Sequence, residues 1–208
     1  SKDEGMRQKR IWLCTTALSL MLSSTVASQT QNDKAKDLQT ATAKTKRAQK
    51  ALQHKNVDEA MRALHDAQLA LQPHASLNVP KVVVVHGTPK GFGNYYPAAG
   101  GVLSSRLLRL YVEVEDFTWQ DSLPAQGDLK KAKLDVTGVF FDQDGQEIGA
   151  KPLGMRVLKT RSPHRRTYFG LEVKLGEKIP AGRYAIEVQV KDLATQRSAK
   201  KRVPVVVR

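Results

Sequence analysis

From Leu107 onward the chain is a succession of short segments in which apolar and polar residues alternate, and a period of two leaves room for little but antiparallel β-structure. The clearest follows the turn Pro180-Ala181-Gly182-Arg183-Tyr184. It sets Tyr184, Ile186, Val188 and Val190 on one face and Arg183, Ala185, Glu187, Gln189 and Lys191 on the other. A Tyr placed just past such a turn sends its hydroxyl back to backbone upstream and fixes the corner between sheets, so Gly182 and Tyr184 are read as a structural tyrosine corner. Leu108, Leu110, Val112 and Val114 alternate in the same way with Arg109, Tyr111, Glu113 and Glu115. Leu134, Val136 and Phe140 mark another strand, which turns at Asp142-Gln143-Asp144-Gly145 and returns from Ile148. Leu153, Met155 and Val157 read as a short strand, and Phe169, Leu171, Val173 and Leu175 as a longer one. Val203, Val205 and Val207 form the last, where Pro204 predicts a sheet edge.

With Val82-Val83-Val84-Val85 added, seven or eight strands result. That is the number an immunoglobulin-like antiparallel β-sandwich needs, and residues 106–208 are assigned to one. The expected fold class is mainly β, with an α-helical hairpin in front of the sandwich. The hairpin occupies 32–72: Leu38, Ala41, Thr45, Ala48 and Leu52 recur at helical spacing, and Val57, Met61, Leu64 and Leu71 do so again. Between them His54-Lys55-Asn56 reads as a turn, with Asn56 as N-cap and Glu59 closing a capping box. Residues 73–105 read as a linker with one strand. Its Gly- and Pro-rich run from Thr88 to Gly101 carries Phe92, Tyr95 and Tyr96, a candidate aromatic contact loop or a cover for an open sheet edge.

At the N-terminus, Arg7, Lys9 and Arg10 precede the apolar run Ile11 to Leu22 and the small residues Thr25-Val26-Ala27. This three-part layout predicts a signal peptide over residues 1–27, cleaved after Ala27, with residues 1–5 upstream of a start at Met6. The expected location is outside the cytoplasm: periplasm, cell envelope or medium. The one cysteine, Cys14, lies in the removed segment, so the sandwich has to rest on packing without disulfides.

The formal net charge is +14. Removal of four basic and two acidic residues with the leader leaves 30 basic against 18 acidic residues, or +12. Such a balance suits a polyanionic partner. The candidate anion-binding residues are Arg161, His164, Arg165 and Arg166 before the Phe169 strand and Lys130, Lys131 and Lys133 before the Leu134 strand, with Lys200, Lys201 and Arg202 in the last. Signals for catalysis are missing. The histidines have no metal-ligand spacing, and there is neither a Gly-x-Ser-x-Gly elbow nor a phosphate-cradling loop. Glu113 and Glu115 read as a solvated strand face, and the Asp142 turn lacks the ligand order of a calcium loop. No catalytic residue, metal or cofactor is assigned.

Two resemblances add to this. Asn56-Val57-Asp58-Glu59-Ala60 with Leu64, Ala67 and Pro73 resembles the second helix of a single tetratricopeptide repeat. Leu110 to Phe117, Arg165 to Phe169, and Pro180 to Tyr184 with Val190-Lys191-Asp192 resemble a group of exported bacterial proteins of uncharacterised function with a C-terminal immunoglobulin-like β-sandwich. That resemblance implies export and a sandwich and assigns no catalytic residue. The expected function is a non-enzymatic interaction or structural module of the cell envelope, with a protein or envelope component as partner. The alternative is polyanion binding, of an envelope glycan or nucleic acid, through the basic loops.

Overall fold

The structure, a computed structural model, describes residues 32–121 and 129–208, in two compact units that divide between Leu71 and Gln72. The leader reading and Cys14 lie outside the described residues. No helix among the described residues is long and apolar enough to cross a membrane.

The first unit is the expected pair of antiparallel helices, α1 (32–53) and α2 (Val57–Leu71). Lys55 closes α1 in the left-handed region at φ 57°, where its N–H reaches the Leu52 carbonyl (2.9 Å) and the Asn56 N–H reaches Ala51 (2.9 Å). These are the paired bonds of a Schellman cap. Asn56 then caps α2: its Oδ1 accepts from the Glu59 N–H (3.1 Å), and its side-chain amide, in place of its backbone N–H, donates to the Glu59 carboxylate (3.2 Å). The seam is thin and alanine-rich, as the sequence suggests. Ala41, Ala48 and Ala51 meet Ala60, Ala63 and Ala67, and the larger apolar residues stay exposed. Small residues let two helix backbones approach closely, and the bulky stripe is turned aside.

The second unit is mainly β, with two antiparallel sheets sharing one hydrophobic core. The first sheet has the order β1 (Asn78–Val84), β2 (Leu107–Glu115), β6 (Arg166–Lys174). Segment 73–105 is therefore no linker: β1 pairs along β2 from Val82↔Val112 to Val84↔Leu110, so this stretch belongs to the β unit. The second sheet is centred on β4 (Lys130–Phe141), with β5 (Glu147–Thr160) on one side and β7 (Gly182–Asp192) then β8 (Ser198–Val207) on the other. The two-residue β3 (Gln120–Asp121) pairs with Lys130 and Lys131, just beyond the reach of β7. Pro204 sits in the edge strand β8, as its missing N–H requires. Leu153, Met155 and Val157 form no separate short strand. They lie within the 14-residue β5, which passes Pro152 and Gly154 by a bulge and drops Leu153 over Gly138.

Alternation does the rest. Leu108, Leu110, Val112 and Val114 of β2, Leu134 and Val136 of β4, and Ile186, Val188 and Val190 of β7 are all fully buried in the common core. Gly145 turns the β4–β5 hairpin at φ 78°, as read from the sequence, and Asp142 Oδ1 accepts the N–H groups of Asp144 (3.0 Å) and Gln146 (2.8 Å). At the β7 corner the Tyr184 hydroxyl donates to the Pro180 carbonyl (3.0 Å), and the ring lies beside Gly182. A buried polar knot closes one end. Asp192, wholly buried, accepts from the Thr118 N–H (2.9 Å), the Ala194 N–H (2.9 Å), the Thr195 hydroxyl (3.0 Å) and Arg197 (3.2 Å). Arg197 also donates to the Asp116 carbonyl (3.0 Å) and the Thr118 hydroxyl (2.8 Å), while the Gln72 amide donates to the Phe117 carbonyl (2.7 Å).

Candidate functional site

The predicted basic residues do not form one group. Arg165 makes two bonds to Asp116 (2.6 and 2.9 Å), which hold its guanidinium above its ordinary pKa, and Arg166 pairs with Glu115 (2.6 Å). Asp116 and Glu115 are buried, so these arginines are neutralised within the fold and close over the end of β2. His164 rests its ring against Trp119 at 5.2 Å and gives its carbonyl to the Trp119 indole N–H (2.8 Å). Lys130 is paired with Asp121 on β3. Arg161 is exposed in the turn after β5. Of the set Arg161, His164, Arg165 and Arg166, the last two are held by carboxylates and His164 lies against Trp119, while Arg161 is exposed.

Lys131 and Lys133 are different. In β4 they alternate with buried Ala132 and Leu134 and so project from the outer face of the second sheet. Register then gathers other cations beside them. Lys159 of β5 pairs directly with Lys131, Lys191 of β7 pairs with Asp135, and Lys200 and Arg202 of β8 pair with Gln189 and Glu187. Paired residues on adjacent strands share a face. Between the rungs of Lys131 and Val139 the outer face therefore carries six cations against two carboxylates, Asp135 and Glu187.

Glu187 is already engaged, by Lys200 (3.3 Å) and Arg202 (3.6 Å). Burial alone would raise its carboxyl, but hydrogen bonds from Gln189 and Lys200 and the charges of Lys200 and Arg202 outweigh it and leave the group below its usual range. Among the described residues no carboxylate lies within ion-pair distance of Lys131, Lys133, Lys159 or Lys191. Like charges directly opposite across a ladder are destabilising, so the Lys131–Lys159 rung costs stability that no carboxylate among the described residues offsets by an ion pair. Further along the face, over β4, β7 and β8, lies a depression of about 380 Å³ lined by Asp135, Thr137, Gln189, Lys191, Ser198 and Lys200. Sequence reading found Lys131 and Lys133 but missed Lys159 and Lys191. The Asp142–Gly145 turn could not supply Lys159, because counting from it sets Val157 opposite Lys131, and only two register shifts along β5 bring Lys159 there.

The aromatic loop packs on the outer face of the other sheet and also pairs with the open edge beside β1, where the His86 N–H donates to the Tyr96 carbonyl (2.8 Å) and the Ala98 N–H to the Val84 carbonyl (2.8 Å). Tyr95 stacks on Tyr111 at 4.2 Å, Tyr111 on Tyr168 at 5.7 Å, and Phe92 meets Tyr168 edge-on at 6.2 Å. Tyr111 is fully buried beneath the loop, accepts from the Gly93 N–H (2.8 Å) and donates to Glu113 (2.9 Å). Burial pushes its hydroxyl up to about 12, and Glu113 reinforces the shift. Lys81 lies over the Tyr95 ring (5.8 Å) and near Glu113 (3.8 Å). Glu113 and Glu115 are thus not a solvated face: both carboxylates are covered and committed to Tyr111, Lys81 and Arg166. Of the three predicted contact rings, Tyr95 is spent in this packing, while Phe92 is 50% and Tyr96 67% exposed.

No protein-family model matches the chain, and no curated protein matches it. Among solved structures, Bacteroides uniformis beta-glucuronidase is similar at 12% identity and a TM-score of 0.32, over 63% of this chain and 12% of that enzyme. Pseudomonas fluorescens alkylpurine DNA glycosylase AlkC, bound to DNA containing an abasic site analog, is similar at 13% identity and a TM-score of 0.34, over 76% of this chain and 40% of the glycosylase. The chain spans less than half the length of either. Likeness this distant carries no argument about fold or function.

Proposed function

We propose that the chain is an exported, non-enzymatic interaction module of the cell envelope, whose immunoglobulin-like β-sandwich contacts an anionic envelope glycan through the lysine-bearing face of β5, β4, β7 and β8. The Lys131–Lys159 rung carries the reading. Cations set against one another without a carboxylate leave a local excess of positive charge, and an external anion relieves the repulsion on binding. The tyrosine corner and the two sheets over one core support the immunoglobulin-like reading of the fold. The function classes with recognisable catalytic motifs have no counterpart in the sequence.

Glycan is favoured over nucleic acid by what the face lacks. Single-stranded nucleic acid binders add rings on which bases stack; the ring that borders this face, Phe141, is buried beneath the Arg202 guanidinium at 3.6 Å and is closed to a base. The test is equilibrium binding of the chain to a sulfated or phosphorylated glycan and to single-stranded DNA of equal charge, from about 50 mM salt upward. Glycan binding at least as tight as DNA binding is expected. No binding to either at low salt refutes the reading, and a clear preference for DNA moves the face to nucleic acid.

A further inference from the structure

The helical unit has two unlike sides. Lys44–Asp66 (2.9 Å) and Arg47–Glu59 (3.0 Å) bridge the helices on one of them. At about 100° per residue, Leu38, Thr45 and Leu52 lie roughly a quarter-turn from the alanine seam of α1, and Val57, Met61, Leu64 and Leu71 lie as far round in the same sense on α2. Because the helices run antiparallel, both stripes emerge together on the side opposite the ion pairs. All the Leu, Val and Met residues of these stripes are exposed, Met61 by 63%. On α2 the succession Val57, Met61, Leu64, Gln68, Leu71 has the alternating four-three spacing of a helix-pairing seam.

Charge selects what covers it. α1 carries six basic and two acidic residues, a net +4, whereas α2 carries one Arg against three acidic residues, a net −2. Two copies meeting face to face can set α1 on α1 or α1 on α2. The first opposes like charges along its whole length. The second, with both turns at the same end, brings Lys50 of α1 level with Asp58 on α2 of the other copy and Lys46 within about one turn of it; the stagger is fixed by the Lys44–Asp66 and Arg47–Glu59 pairs. We propose that this face is a self-association surface, on which two copies form an antiparallel four-helix bundle with α1 of each over α2 of the other.

Sedimentation equilibrium of the full chain carrying Cys14→Ser tests it. A monomer–dimer equilibrium with a micromolar constant is expected, and Met61→Lys should weaken it at least about 30-fold. As Met61 is exposed in the single chain, the far-UV circular dichroism should not change. A monomer up to about 0.2 mM, whether the face lies on the chain's own β unit or on nothing, overturns the proposal. So does a dimer indifferent to Met61→Lys. Mixing Thr45→Cys and Met61→Cys chains in the same background reads the arrangement independently. A mixed disulfide is expected, and a Thr45→Cys homodimer in its place overturns the pairing of α1 with α2.

Discussion

Removing the Asp192 carboxylate should cost more than any single change on the surface of the β unit. Asp192→Ala leaves the buried Thr118 N–H without its acceptor and takes from Arg197, whose side chain is 20% exposed, the carboxylate it pairs with. An orphaned buried N–H costs about 1–3 kcal/mol and breaking a buried ion pair about 3–5 kcal/mol. Partial solvation of Arg197, and the carbonyls of Asp116 and Gln72 that it keeps, place the total near the lower end, at about 3–4 kcal/mol. With a urea m-value of about 2 kcal/mol/M the midpoint falls by about 1.5–2 M. The assay is urea unfolding followed by Trp119 fluorescence in a Trp12→Phe background, since Trp119 adjoins Thr118 and Trp12 is the other tryptophan. Lys191→Ala, one residue away and exposed, should stay within about 0.5 kcal/mol of wild type. An Asp192→Ala loss under about 1 kcal/mol would show that the knot does not fasten this end of the fold.

Two other expectations concern backbone and proton. The Tyr111 hydroxyl sits at about 12 in the fold against an ordinary 10.0, so the stability from keeping it neutral is complete below pH 10.0 and lost as pH rises through about 12. Tyr111→Phe should abolish the late phenolate absorbance step and flatten stability across that window; an unchanged alkaline profile would contradict it. Lys55→Gly should stabilise the hairpin by about 0.5–1 kcal/mol in thermal unfolding, because glycine takes the left-handed cap without strain. A loss of stability there would contradict the cap geometry.

What was legible in the sequence is what neighbours along the chain decide. The Asn56–Glu59 cap, the Gly145 turn, the Tyr184 bond to Pro180 and the edge position of Pro204 each depend on a few adjacent residues. The rest is non-local. Arg165 finds Asp116 across 49 positions, and loop residue Tyr95 finds Tyr111 only because β2 projects that ring outward. Pro152 and Gly154 look like breaks, yet a bulge carries β5 through them, and that continuity brings Lys159 to Lys131. The alanine seam was legible because small residues recur at helical spacing on both helices, but that the larger Leu and Met residues would all stand clear of it was not.

The lysine face is tested most directly by reversing three of its charges and, separately, three exposed charges elsewhere on the β unit. Lys131→Glu/Lys133→Glu/Lys159→Glu and Lys90→Glu/Lys174→Glu/Lys178→Glu change the net charge equally, and glycan affinity is measured for both across a salt series. The face variant should lose at least about 100-fold at low salt, with the slope of log affinity against log salt reduced by about 2–3, while the control stays within about threefold of wild type. Equal losses in the two variants would mean that the overall charge attracts the polyanion and that the face is no site.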